Sequence, residues 1–101
     1  MLSFADRARV PSHVLVRFLD GESVLLNLET ERYFGLDATG TRMWQLLTAS
    51  PSIHAAFEEL LAEYDADPEQ LRANLAELTG RLLENGLLQV IPAHVGTAPA
   101  I

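Results

Sequence analysis

Alternating apolar and polar residues in the first third of the chain predict three short β-strands. The strands are predicted at residues 13–19, 23–28 and 32–36. In the second of them, Val24 and Leu26 alternate with Leu25 and Asn27, which is the period of a half-buried strand. Asp20-Gly21 separates the first two strands, and glycine accepts the positive φ that a tight hairpin turn needs. The short spacings predict an antiparallel meander.

The following residues have the apolar spacing of helices. Three helices are predicted, over residues 38–48, 52–64 and 68–84. Asp37 stands where the first helix needs an N-cap, and Ser50-Pro51 ends that helix. The third helix opens with Asp67 as N-cap and Pro68 at the first helical position, and Gly86 follows its end.

Three strands followed by three helices predict an α+β fold. Short turns between the helices require a compact bundle, so the expected architecture is winged-helix-like, with the third helix in the position of a recognition helix. Trp44 is expected in the core. The predicted domain covers residues 13–91, after an N-terminal arm (1–12) and before a loose tail (92–101). Residues 87–91 form either a further short strand or an apolar segment against the helices.

Composition narrows the possible functions. The 101 residues suffice for one domain, and 49% hydrophobic residues favour a folded globule. The absence of cysteine excludes a disulfide framework and a thiolate site, and it fits a cytoplasmic protein. A net charge of -7 argues against nucleic acid and anionic membranes as partners and favours partners with positive or mixed charge. No apolar run approaches the roughly 18 residues of a membrane span.

No pattern of catalytic or metal-binding residues stands out. His13, His54 and His94 are far apart, and no two of them have the spacing of metal ligands. The sequence contains no nucleophile elbow and no phosphate-binding loop. We therefore expect no cofactor, no metal and no enzymatic activity of the domain alone.

One segment resembles a known family. In the run LLNLETERYFGLDATGTRMWQLL, an apolar-Leu-Asn-Leu strand and a charged turn precede Tyr-Phe-Gly-Leu-Asp. Gly40 and an Arg-x-Trp-x-Leu-Leu motif that begins at Arg42 follow. This pattern resembles the PqqD-like family of precursor-peptide recognition elements, over about residues 13–90. Within that family it is most similar to the stand-alone form of lasso-peptide maturation.

The resemblance implies a peptide-binding function. In the family, the leader segment of a ribosomally made precursor adds as an antiparallel strand to the third strand and fills a groove beside the third helix, which is β-augmentation. The domain would then deliver the precursor to a separate leader peptidase and cyclase. The docking strand would be supplied by Arg32, Tyr33, Phe34, Gly35 and Leu36. The third helix would contribute Leu71, Asn74, Leu75, Leu78 and Arg81.

Structural explanations remain open for the same residues. Alternation places only one of Tyr33 and Phe34 on the core side, and Gly35 fits a close backbone approach or a β-bulge. The leucine stripe of the third helix fits a core as well as a pocket, and Asn74 and Arg81 fit a solvated helix face.

Three other functions also remain open. The first is a winged-helix DNA-binding regulator, and the second is a PqqD-type chaperone for a radical-SAM peptide-modifying enzyme. The third is an adaptor that forms a homodimer or swaps hairpins.

Overall fold

The computed structural model describes residues 3–93. The described residues do not include residues 1–2 or residues 94–101. The second range contains His94 and most of the predicted tail. The elements follow the chain in this order: β1 (Arg7–Arg9), β2 (Val14–Leu19), β3 (Glu22–Asn27), β4 (Arg32–Leu36), α1 (Ala38–Ala49), α2 (Ile53–Glu63), α3 (Pro68–Glu84) and β5 (Gln89–Ile91). The predicted α+β arrangement, with a three-stranded sheet before three helices, is confirmed. No helix of the described part is long and apolar enough to cross a membrane.

The main sheet is an antiparallel meander with the strand order β2-β3-β4. Asp20 and Gly21 have φ values of 50° and 83°, and Leu19 pairs with Glu22 around them. This is the two-residue hairpin turn that the sequence predicts. Leu25 pairs with Phe34 in the centre of the sheet, so these two side chains lie on the same face.

Both predicted N-caps, Asp37 and Asp67, lie at the starts of their helices. Asp37 accepts a hydrogen bond from the N–H of Gly40 (2.8 Å). Ser52, predicted as the first residue of the second helix, is instead its N-cap and accepts a hydrogen bond from Ala55 (3.0 Å). Asp67 occupies the N-cap position of α3, but its side chain makes no capping hydrogen bond. The predicted position is therefore correct, whereas the start of α3 depends on Pro68, whose fixed φ suits the first turn.

A second, two-stranded sheet joins the two ends of the described chain. β1 pairs antiparallel with β5, and Ala8 between them is buried. Ahead of β1, the carbonyls of Phe4 and Asp6 accept hydrogen bonds from His54 (2.7 Å) and Ile53 (2.8 Å) at the start of α2. These N–H groups have no partner within the helix. The segment predicted as an arm therefore contributes a strand and completes the N-terminus of α2.

The core lies between the main sheet and the three helices. Its fully buried side chains come from every layer and include Leu25, Leu47, Ile53, Leu60, Leu75 and Leu82. Trp44 is also buried, at 2% exposure, as expected. Thr41 of α1 donates a hydrogen bond to the Leu36 carbonyl (3.3 Å) and accepts one from Ser23 (2.7 Å), which fixes α1 against the sheet.

Candidate functional site

The strand β4 lies at one edge of the main sheet. Its neighbour on one side is β3, and no strand of residues 3–93 pairs with its other side. Phe34 faces the helices and is half-buried, whereas Tyr33 faces away from them and is 74% exposed. Of these two aromatic residues, Phe34 is therefore the one on the core side in the free protein. Leu36 is buried at 6% exposure, so it can offer a docking partner only its backbone.

Gly35 lies in a regular part of β4. It pairs with Val24, and the pairing continues without a break on both sides, so the strand has no bulge at this position. A Cβ added to Gly35 would meet no atom within 4 Å. The fold itself therefore has room for a larger residue there.

Helix α3 comes close to β4 through one pair of side chains. The guanidinium carbon of Arg81 lies 5.2 Å from the centre of the Phe34 ring, within the range of a cation–π contact. Leu78, one turn earlier on the same side of α3, is half-buried. We call the surface between Phe34 on the strand and Leu78 and Arg81 on the helix the β4–α3 groove.

The other candidate residues of α3 divide between the core and the solvent. Leu71 and Leu75 are 5% and 0% exposed, so their side chains belong to the core in the free protein and do not line the groove. Asn74 is exposed and accepts a hydrogen bond from Gln70 (3.0 Å). Of the predicted leucine stripe, only Leu78 reaches the groove surface.

The end of α3 is connected to the sheet by a residue that was not among the predicted site residues. Asn27, only 3% exposed, donates from its side chain to the Asn85 carbonyl (2.9 Å) at the end of α3. His13 donates from Nε2 to the neighbouring carbonyl of Gly86 (3.2 Å). These residues border a cleft of about 530 Å³ that reaches Arg32 at the start of β4. The hydrogen bonds fix the end of α3 relative to the sheet.

The exposed ion pair of Arg42 and Glu63 joins α1 to the end of α2. The Arg42 Nε donates to Glu63 Oε1 at 2.8 Å, and a second nitrogen reaches the other carboxylate oxygen. This hydrogen bonding holds the pKa of Glu63 below its ordinary value. Arg42 is the arginine of the Arg-x-Trp motif, and its observed role is to connect two helices.

Comparisons with known proteins agree with this architecture. The family model of coenzyme PQQ synthesis protein D (PqqD) matches residues 22–88, which include the main sheet from β3 onward and all three helices. The chain belongs to the PqqD family. A search of curated proteins finds no significant match.

Two solved structures are similar to the chain over most of its length. One is TbiB1 in complex with the TbiA(beta) leader peptide, with 33% identity, a TM-score of 0.75, and coverage of 80% of this chain and 94% of TbiB1. The other is a lasso peptide synthetase B1 complexed with the leader peptide, with 26% identity, a TM-score of 0.72, and coverage of 85% of this chain and 99% of that protein.

Proposed function

We propose that the protein binds the leader segment of a ribosomally synthesised precursor peptide in lasso-type peptide biosynthesis. The observation that carries the proposal is the edge of β4 near Arg81 of α3, which no strand of residues 3–93 covers, in a chain similar to two solved leader-peptide complexes. In this proposal the leader adds to β4 as an antiparallel strand. Main-chain hydrogen bonds provide affinity, and alternate leader side chains enter the β4–α3 groove and set the register.

The choice of β4 over the opposite edge rests on the position of α3. β2 is also an edge strand, and its exposed Leu15, Phe18 and Leu19 make it the competing docking strand. At the β4 edge, Arg81 of α3 lies over Phe34. A peptide on β4 therefore gains side-chain contacts from the helix in addition to main-chain hydrogen bonds.

The domain itself performs no bond chemistry in this proposal. It raises the effective concentration of the precursor near a separate leader peptidase and cyclase in the cytoplasm. The site residues that take part are the backbone of β4 and the side chains of Phe34, Leu78, Asn74 and Arg81. Leu71 and Leu75 support the groove from the core.

Helix α3 does not favour the DNA-binding alternative. In the winged-helix-like interpretation, α3 would enter a groove of DNA and would need free basic residues. Its two arginines, Arg72 and Arg81, both lie over aromatic rings, and three glutamates share the helix. A gel-shift assay at low salt tests this alternative. Retardation of duplex DNA by the folded protein would support it.

Titration calorimetry tests leader binding directly. The probe is a synthetic peptide with the N-terminal sequence of the precursor encoded by the nearest short reading frame, and the control is the same peptide scrambled. We expect a dissociation constant of about 1 μM or lower, or roughly -8 kcal/mol, for the true sequence alone. Equal binding of both peptides, or no binding to the folded protein, contradicts the proposal.

Amide hydrogen exchange then identifies the docking edge. Strand addition should slow exchange at the outward N–H groups of β4, because they acquire hydrogen-bond partners, while the edge amides of β2 serve as the internal control. Protection confined to β2 would show that the leader binds at the opposite edge of the sheet, which contradicts the proposal.

A further inference from the structure

The side chain of Arg81 is turned towards the β4–α3 groove although carboxylates are available on its own helix. Glu77 precedes it by four residues and Glu84 follows it by three, and these spacings favour ion pairs on a helix. Within residues 3–93, no carboxylate lies within 4.0 Å of Arg81. The guanidinium lies over Phe34 instead.

This position leaves the hydrogen-bonding capacity of the guanidinium unused. An arginine that contacts a ring through its flat face still has its in-plane N–H groups available for an acceptor. The Arg81 side chain donates no hydrogen bond to the described residues. A strand that adds to β4 would bring its inward-facing side chains past Phe34, and therefore next to these donors.

We propose that Arg81 is a specificity-determining residue that binds an aspartate or glutamate side chain of the leader; this inference rests on the proposed function. The carboxylate belongs to a leader residue that faces the helices, either opposite Phe34 or two positions from it, because alternate residues of a strand share a face. A planar fork of donors matches a carboxylate with two parallel hydrogen bonds, which neutral side chains do not reproduce.

The surrounding charges make this recognition selective. The chain carries a net charge of -7, and Glu77 and Glu84 flank Arg81. A leader carboxylate therefore meets repulsion over most of the surface and attraction at Arg81, so a shift of the leader by two residues would cost affinity. The contact anchors the register of the added strand.

Arg72 provides a matched control on the same helix. Its guanidinium carbon lies 4.1 Å from the centre of the Phe4 ring and 5.8 Å from that of Phe57, at the N-terminal segment and α2. Replacing Arg72 removes the same charge from the same helix as replacing Arg81, but away from the groove. Overall charge effects and local recognition can therefore be separated.

A double-mutant cycle tests the inference. The synthetic leader peptide is made with each Asp changed to Asn and each Glu to Gln, one at a time, and titrated against the unaltered protein, Arg81→Gln, Arg81→Lys and Arg72→Gln. We expect one acidic position whose change weakens binding about tenfold with the unaltered protein and not at all with Arg81→Gln. Arg81→Lys should retain part of the effect, and Arg72→Gln should behave like the unaltered protein.

Other outcomes overturn the inference, and they differ in whether the proposed function fails as well. If the unaltered protein binds the leader, but no acidic position is coupled to Arg81, leader binding stands and the role of Arg81 is wrong. If the leader that binds contains no acidic residue, the proposed role of Arg81 is wrong as well. If the folded, unaltered protein does not bind the leader at all, the proposed function fails first, and the inference fails with it.

Discussion

The side chain of Asn27 donates a 2.9 Å hydrogen bond to the backbone carbonyl of Asn85, across 58 positions of the chain. The oxygen of the same side chain accepts hydrogen bonds from the N–H groups of Glu29 (2.9 Å) and Thr30 (3.3 Å). One buried amide thus shapes the turn before β4 and holds the end of α3 beside it. That residue therefore connects the end of α3 to the start of β4.

Replacing Asn27 with alanine should therefore lower the stability of the protein. The change leaves the Asn85 carbonyl and two turn N–H groups without their partner, so we expect the free energy of unfolding to fall by about 1–3 kcal/mol in urea denaturation. Asn74→Ala is the control, because it removes an exposed amide from α3 and should change stability by no more than about 0.5 kcal/mol. Equal effects of the two changes would contradict the role of Asn27.

Gly86→Ala should destabilise the protein through backbone strain and a close contact. Gly86 has a φ of 69°, and an added Cβ would lie 2.9 Å from the Asn27 Nδ2. A cost of about 1–3 kcal/mol is expected for a non-glycine residue in this conformation. Gly80→Ala within α3 is the matched control, since a Cβ there meets nothing within 4 Å. It should stabilise the protein by about 0.5–1 kcal/mol, measured by the same denaturation.

Leu75→Ala and Leu78→Ala should separate the core from the groove. Leu75 is fully buried, and its truncation should lower the free energy of unfolding by about 2–5 kcal/mol. Leu78 is half-buried beside Arg81, so its truncation should cost less stability and weaken leader binding in calorimetry. If Leu75→Ala keeps the stability of the protein and weakens leader binding, Leu75 belongs to the binding surface.

The ion pair of Arg42 and Glu63 predicts a dependence on acid pH. The folded-state pKa of Glu63 lies below its ordinary value of 4.5, so the unfolded state binds more protons between the two values. The stabilisation is present above about pH 4.5 and is lost as the pH falls through the folded pKa. Carboxyl NMR titration should show this lowered pKa, and Arg42→Gln should return it towards 4.5. An unchanged Glu63 pKa in Arg42→Gln would exclude the ion pair as its cause.

The elements of the main fold were predictable because their ends are encoded locally. The Asp20-Gly21 turn, the Asp37 cap and the bounds of β4 depend on neighbouring residues, and all agree with the structure. The pairing of β1 with β5 was not predicted. It joins segments of three residues each from opposite ends of the chain, and three residues are too few for a periodic pattern.

The candidate site was predictable only in part for a similar reason. Helical spacing places Leu71, Leu75 and Leu78 on one stripe, but it does not determine which of them other side chains cover. The first two lie in the core, whereas Leu78 is only partly buried against it. Asn27 belongs to the apolar-Leu-Asn-Leu motif, but its contact with Asn85 depends on tertiary structure, which the motif does not predict.

The pairing of β1 with β5 also has a consequence for engineering. Because Arg7 stands opposite Ile91, the described chain enters and leaves the fold at neighbouring points. A short glycine-serine linker from the end of β5 to the segment before Phe4, with new ends opened at Asp20-Gly21, would give a circular permutant that keeps every helix and the contacts of Phe4 and Asp6 with α2.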